Sequence, residues 1–379
     1  MKSITPGKIL LIVLLSLFFA QSSVRAQSNI LDGTTLPSFR FPLGDATPRT
    51  FDGGWAKEAT VKNFPASQNI AGVAMSLKPG GLRELHWHAN AAEWAYVISG
   101  HCRITVIDPQ SRVEIQDIGP GDVWYFPRGH GHSIQGTGTE DCRFILVFDN
   151  GSFSDFATFS ISDWIAHTPP EVLAKNFKMS ASTFKDFPKK EVYISQGPVP
   201  AALPADPLPF TEVAPPLTHK YSLGAQQGQL WPGGRFQLVS QKQFPISTTM
   251  TGALQTLEPG GGLREMHWHP NADEWQYYIS GHARMTVFGS GGRSRLEEFG
   301  PGDVGYVPQG YGHYIENASD TEKCVTLIVL NTGDYQEISL SQWMKSNPVQ
   351  LLGTNFKVPK SIFDSLPKSN PFIVPGTDK

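Results

Sequence analysis

Two histidine clusters define the chemistry open to this chain: Gly-Gly-Leu-Arg-Glu-Leu-His-Trp-His at 80–88 and Gly-Gly-Leu-Arg-Glu-Met-His-Trp-His at 261–269. A glutamate and a third histidine follow each, so that His86, His88, Glu93 and His132 recur 181 positions later as His267, His269, Glu274 and His313. In an extended strand the side chains alternate faces, so the two histidines of a His-x-His pair project together and the tryptophan between them projects the other way. One such pair is a weak signal. Here the turns at Gly100, Gly121 and Pro127 recur with the ligands as Gly281, Gly302 and Pro308, and burying so many unpaired polar groups for packing alone would be costly. The set reads as two metal sites. Three imidazoles and a carboxylate, with no thiolate, argue against structural zinc and favour manganese or iron(II), leaving up to two positions for a small dianion or dioxygen.

The elements that must hold these residues are short. Runs rich in Val, Ile, Tyr, Phe and Thr alternate with turn signals such as Pro-Gly-Gly, Ser-Gly-His and Gly-Pro-Gly-Asp, which predicts an all-β sandwich or barrel in each half. The duplication extends beyond the ligands. Leu43-Gly44 recurs as Leu223-Gly224, and Trp164 and Asn176-Phe177 recur as Trp343 and Asn355-Phe356. The expected organisation is a domain at 27–197, a linker at 198–216 rich in proline and alanine, and a second domain at 217–379. Helices are expected around 162–176 and 341–355, capped by Ser162 and Ser341, outside the barrels and packing on neighbouring domains.

Residues 1–26 read as an export signal: Lys2 and Lys8 precede an apolar run from Ile9 to Ala20, and Val24-Arg25-Ala26 offers a cleavage site before Gln27. A secreted or periplasmic protein is expected, with no membrane association after cleavage. Loss of Lys2, Lys8 and Arg25 takes the formal charge from -3 to -6, and a mildly acidic chain without basic clusters is a poor partner for nucleic acid. Cys102, Cys142 and Cys324 are too few for a disulfide scaffold and are read as buried packing, although the compartment permits a Cys102–Cys142 bridge.

Gly80 to Gly100 with Gly121 to His132, and Gly260 to Gly281 with Gly302 to Asn317, resemble the two cupin motifs, duplicated as in bicupins. The Arg-Glu-Leu/Met-His-Trp-His segments, Glu-Trp-x-Tyr at 93–96 and 274–277, and Gly-Asp-Val-x-Tyr at 121–125 and 302–306 are similar to those of manganese-dependent oxalate decarboxylases and bicupin oxalate oxidases. The resemblance implies two cupin (double-stranded β-helix, jelly-roll) barrels in tandem with short peripheral helices. It further implies one Mn2+ per barrel, oxalate as substrate beside Arg83 and Arg264, and dioxygen as co-catalyst or co-substrate. Strict strand alternation does not put Arg83 on the face of His86, so its role requires an irregularity near the preceding glycines.

Decarboxylation to formate and CO2 is the first expectation and oxidation to CO2 and H2O2 the second. The resemblance implies that C–C cleavage leaves a carboxylate radical, and that a lid acid decides between the two outcomes by protonating its carbon or not. Where the family's decarboxylases carry a glutamate, this chain has Asp155, within Ser154-Asp155-Phe156-Ala157-Thr158; the bland alternative is a solvated loop acid. Phe148 to Trp164 covers 16 steps and Leu330 to Trp343 covers 13, which gives the first domain the longer lid and the expected catalytic role. The second half has Ile328 where some relatives carry a glutamate, so its centre is expected to lack a nearby acid and to serve structure, redox support or storage. A non-enzymatic exported manganese-binding bicupin is the reading from a different class, and a homo-oligomer is left open.

Overall fold

A computed structural model of the chain describes residues 35–203, 215–367 and 369–376. The expected export segment at 1–26 and the centre of the linker lie outside the described residues. Each half is a barrel of two antiparallel sheets, as the short-strand pattern requires. In the first, a seven-stranded sheet runs in the order Lys220–Tyr221, Val123–Phe126, Glu93–Ser99, Cys142–Phe148, Ala71–Leu77, Gly54–Ala59, Arg49–Phe51. The facing sheet runs Phe159–Ser160, Gly81–Trp87, Gly131–Thr137, His101–Ile107, Val113–Ile118, and Ile194–Gln196 also pairs with Gly81–Trp87. The second half repeats this order strand for strand.

The two kinds of sheet differ in sequence because they differ in burial. A seven-stranded sheet is covered on both faces, so Ala71–Leu77 is buried at every position and Cys142–Phe148 at all but Arg143. The facing sheets have one outer face, and His101–Ile107 alternates between buried and more exposed residues. The seven-stranded sheets pack against each other, where Trp94 and Tyr125 share a core with Trp275 and Tyr306. Approach is closest at two glycines: a Cβ on Gly72 would lie 2.2 Å from the Trp275 ring, and one on Gly252 2.0 Å from the Trp94 ring. All three cysteines are buried and free, in keeping with a packing role.

Short segments cross between the halves. Arg40–Phe41 pairs with Gly305 and Val304 of the second barrel, and Lys220–Tyr221 pairs with Trp124 and Val123 of the first. The second strap is held by charge: the Thr218 hydroxyl and the His219 backbone N–H donate to Glu114 at 2.6 and 2.9 Å, and Ser222 donates to Asp122 at 2.6 Å. Burial works to raise both carboxyls, but hydrogen bonds from His219 and Thr218 hold Glu114 below its ordinary value, as those from Ser222 and Gly119 do Asp122. A depressed folded-state pKa contributes stability that is complete above the unfolded value and is lost as pH falls through the folded one. Glu114→Ala is therefore expected to lower stability at neutral pH by about 1–3 kcal/mol. The difference from the parent should shrink below about pH 4, where carboxyl groups protonate. Thermal melts at the two pH values check this, and an equal deficit at both would contradict it.

The late helices differ from expectation in two ways. Each is a pair, α1 (Ile161–Ala166) with α2 (Pro170–Phe177) and α3 (Leu340–Lys345) with α4 (Val349–Phe356), because Pro169-Pro170 and Pro348 cannot continue a helix from the preceding turn. The caps are Ser160 and Ser339, whose hydroxyls accept from Asp163 N and Gln342 N, and not Ser162 and Ser341. Ser162 is used elsewhere: its hydroxyl donates to Glu84 at 2.5 Å.

Candidate metal centres and their lids

The eight residues singled out as ligands form two buried groups, His86, His88, Glu93 and His132, and His267, His269, Glu274 and His313, each with its ligand atoms within 4.8 Å of one another. Pairing of Gly81–Trp87 with Gly131–Thr137 sets His132 directly beside His86, and Glu93 opens the next strand. Backbone carbonyls orient the rings. His86 Nδ1 lies 2.6 Å from Glu84 O, His132 Nδ1 2.9 Å from His130 O, and His267 Nδ1 2.7 Å from Glu265 O, which leaves each Nε2 as the free lone pair. Burial, reinforced by neighbouring cations, holds His86, His88 and His267 well below the ordinary histidine range, so these imidazoles are neutral.

The residues present fit a divalent ion. In the first centre the Nε2 atoms of His86, His88 and His132 and the Oε2 of Glu93 are all buried without a hydrogen-bond partner, an arrangement that is costly unless a cation sits among them. Trp124 Nε1 donates to the other Glu93 oxygen at 2.7 Å and aims Oε2 inward, 3.9 Å from His88 and 3.7 Å from His132. In the second centre Gln276 takes Trp124's place, donating to Glu274 Oε1 at 2.5 Å, and Glu274 Oε2 lies 2.8 Å from His269 Nε2. Burial alone would raise Glu274, but His313 and His269 beside it drive it well below the usual carboxylate range.

Arg83 does face the first centre, and the irregularity that turns it lies after it, not at the preceding glycines. The register shifts so that Ile134 pairs with Arg83 and His132 with His86, placing two residues opposite one. This bulge sends Leu85 out, 50% exposed, and brings Arg83 and His86 inward together at 0% and 2%. The same shift lies between Arg264 and His267.

Asp155 is not a solvated loop acid. It is buried at 1% exposure in a single 3-10 turn, Asp155–Ala157, and reaches the first centre. Its Oδ1 lies 3.2 Å from Arg83 Nη2 and 3.9 Å from His88 Nε2, and its Oδ2 accepts from the Tyr193 hydroxyl at 2.5 Å. Tyr193, absent from the sequence reading, also stacks beneath the guanidinium, 4.0 Å from ring centre to Cζ. It adopts φ 60°, a conformation fixed by Glu84, whose Oε1 accepts from the Val192 and Tyr193 N–H groups at 3.0 and 2.7 Å. Thr158 Oγ1 completes the set by accepting from Arg83 Nη2 at 3.0 Å.

The second centre has an acid after all, which corrects the expectation drawn from Ile328. Glu337, in the loop before Ile338–Ser339, accepts from Arg264 Nη2 and from the Tyr335 hydroxyl. Arg264 stacks on Phe372, 3.7 Å from Cζ to ring centre, and its Nη1 donates to Phe372 O at 3.2 Å. The 179-residue offset that links Trp164 to Trp343 carries Thr158 onto Glu337 and Tyr193 onto Phe372. That offset is the signal that would have found the glutamate; no counterpart of Asp155 leads to it.

Fold and site together define a two-barrel metal-binding cupin. The cupin family model matches residues 42–185 and 228–362. The chain is 44% identical over 345 residues to oxalate decarboxylase OxdC of Bacillus subtilis, spanning 90% of this chain and 88% of that protein. It is 35% identical over 344 residues to a probable oxalate decarboxylase of Arthroderma benhamiae, spanning 90% and 84%. A solved structure of the Bacillus subtilis oxalate decarboxylase, from work on its Mn(II) centres, superposes with a TM-score of 0.86 at 43% identity and covers 91% of each chain. The chain belongs to the oxalate decarboxylases of the cupin family.

Proposed function

We propose that this protein is a manganese-dependent oxalate decarboxylase that cleaves oxalate to formate and CO2 at the first centre. The observation that carries this reading is the pair of Arg83 and Asp155 buried over the first ligand set. Nε and Nη1 of Arg83 have no partner among the described residues, so this guanidinium keeps N–H donors for a small dianion. Manganese held by His86, His88, Glu93 and His132 supplies Lewis acidity and one-electron redox chemistry.

Asp155 is the proton donor, its Oδ1 taking from solvent in each turnover the proton it passes on. The C–C bond of oxalate breaks, one carboxyl leaves as CO2, and the other carbon takes a proton from Asp155 to become formate, with no net oxidation. Tyr193 is held well above the ordinary phenol range, by burial first and by Asp155 beside it second. It therefore keeps its proton and donates to Oδ2, leaving Oδ1 as the oxygen that faces the centre. Ser154 donates to Glu58 at 2.8 Å and anchors the start of the lid turn.

Asp155 is a methylene shorter than a glutamate, and this favours oxalate oxidase as the second reading. If the proton arrives late, dioxygen takes both electrons, and oxalate, O2 and two protons give two CO2 and H2O2. Turnover of oxalate under air by the manganese-loaded protein, with formate, CO2 and H2O2 measured together, tests the assignment. Formate and CO2 in equal amounts are expected, and H2O2 as the main second product would move the protein to the oxidase class.

We also place the protein in the exported compartment, on the strength of residues 1–26; protein retained in the cytosol with residues 1–26 still attached would count against this. Exposed Trp164, Phe177 and Met179 on the first helical module, with Trp343, Leu351 and Phe356 on the second, suit burial against a second copy of the chain. A monomeric mass by sedimentation would argue otherwise.

A further inference from the structure

The two arginines that resemble each other in sequence are in different states. At the first centre, Asp155 and Thr158 engage only Nη2 of Arg83, while Nε and Nη1 remain buried and unpartnered. At the second, both terminal nitrogens of Arg264 are engaged. Its Nη1 is committed to the Phe372 carbonyl and its Nη2 to Glu337, with Tyr335 donating to the same Glu337 oxygen. Glu337 is only 13% exposed and Arg264 only 2% in their side chains, so their attraction is little screened by water.

The space above the ligands agrees. The cavity at the second centre, lined by Phe236, Arg264, Ile328 and Tyr335 with His267, His269 and Glu274, measures ≈ 10 Å³, room for about one water. Phe236 and Tyr335 also line an outer cleft of ≈ 440 Å³ beside Phe372. They form the wall between the second centre and an outer space large enough for a small anion. Glu337 braces that wall through Tyr335.

We infer that Glu337 is a resident carboxylate that takes the place of a substrate anion on Arg264, so that oxalate is admitted to the first centre and refused by the second. Thr158, at the corresponding position, is neutral, and the carboxylate that does pair with Arg83, Asp155, engages Nη2 alone and leaves Nη1 without a partner among the described residues. The inference rests on the reading that the protein acts on oxalate, and it makes Glu337 the residue that confines that activity to one of two similar metal sites.

The test uses binding at the second centre, which can be read whether or not oxalate is turned over. Manganese-loaded protein carrying His86→Ala and His88→Ala retains the second centre alone, and its Mn(II) electron paramagnetic resonance spectrum is followed during an anaerobic oxalate titration. With Glu337 present, no change is expected at oxalate concentrations that perturb the first centre of protein carrying His267→Ala and His269→Ala. With Glu337→Ala added, the second centre is expected to respond at an oxalate concentration at least about tenfold lower than before, the scale of one charge-assisted hydrogen bond. Glu337→Gln, which preserves the side-chain volume and removes the charge, should respond in the same direction. A second centre that responds to oxalate as readily as the first while Glu337 is in place would overturn the inference. So would the absence of any response in both Glu337 variants.

Discussion

A chain carrying His86→Ala and His88→Ala is expected to keep about one of its two metal ions and to lose oxalate turnover altogether. His86 lies in the strand Gly81–Trp87 and His88 follows its last residue, their Nε2 atoms have no partner among the described residues, and both are held neutral by burial. Removing them leaves Glu93 Oε2 and His132 Nε2, too few donors to hold a divalent ion against water. The structure confines the loss, because the two ligand sets lie in separate barrels with separate cores. Metal analysis of the purified variant should therefore give about one ion per chain. Retention of both ions would refute the ligand assignment, and persistent turnover with one ion would place the chemistry at the second centre.

The next largest effect is expected at Asp155, where the outcome is a change of products. Its carboxylate is held from two sides, by Tyr193 at 2.5 Å and Arg83 at 3.2 Å, so its position is fixed. A fixed donor that is one methylene short is displaced by about 1.5 Å, and a misplacement of about 1 Å can cost on the order of a hundredfold in rate. Asp155→Glu is accordingly expected to raise the ratio of formate to H2O2. Asp155→Ala should lower formate production by about a hundredfold or more, the contribution of a positioned general acid, with metal content unchanged because the nearest ligand nitrogen is 3.9 Å away. If neither substitution moves the ratio, the proton comes from another group or from solvent.

The ligands were legible because duplication repeats them in register, and a His-x-His strand followed by glutamate and a third histidine has few other uses. The barrel was legible for a similar reason, since short apolar runs between glycine turns leave little choice of architecture. Arg83 was harder. Its face depends on a bulge between residues 83 and 86 that is defined only by the partner strand, and alternation along one strand cannot register an extra residue. The crossing pairs at Arg40–Phe41 and Lys220–Tyr221 were invisible because each joins residues far apart in the chain. Asp155 was found but its burial was not, since a polar loop segment reads the same whether it faces water or folds into a barrel mouth. Glu337 left little sign because it lies in the loop after the last strand and not on that strand, where Ile328 stands. Tyr193 needs a left-handed backbone and a buried glutamate to reach Asp155, and neither leaves a local mark in the sequence.

The first centre, with Asp155 as its acid, is expected to suffice for turning oxalate into formate. The most direct measurement is of the products formed from oxalate under air by manganese-loaded protein carrying His267→Ala and His269→Ala, which leaves only the first centre metallated. Formate and CO2 in equal amounts are expected, with formate lost when Asp155→Ala is added. A first centre that holds its manganese and makes no formate, while protein with only the second centre does, would contradict the account.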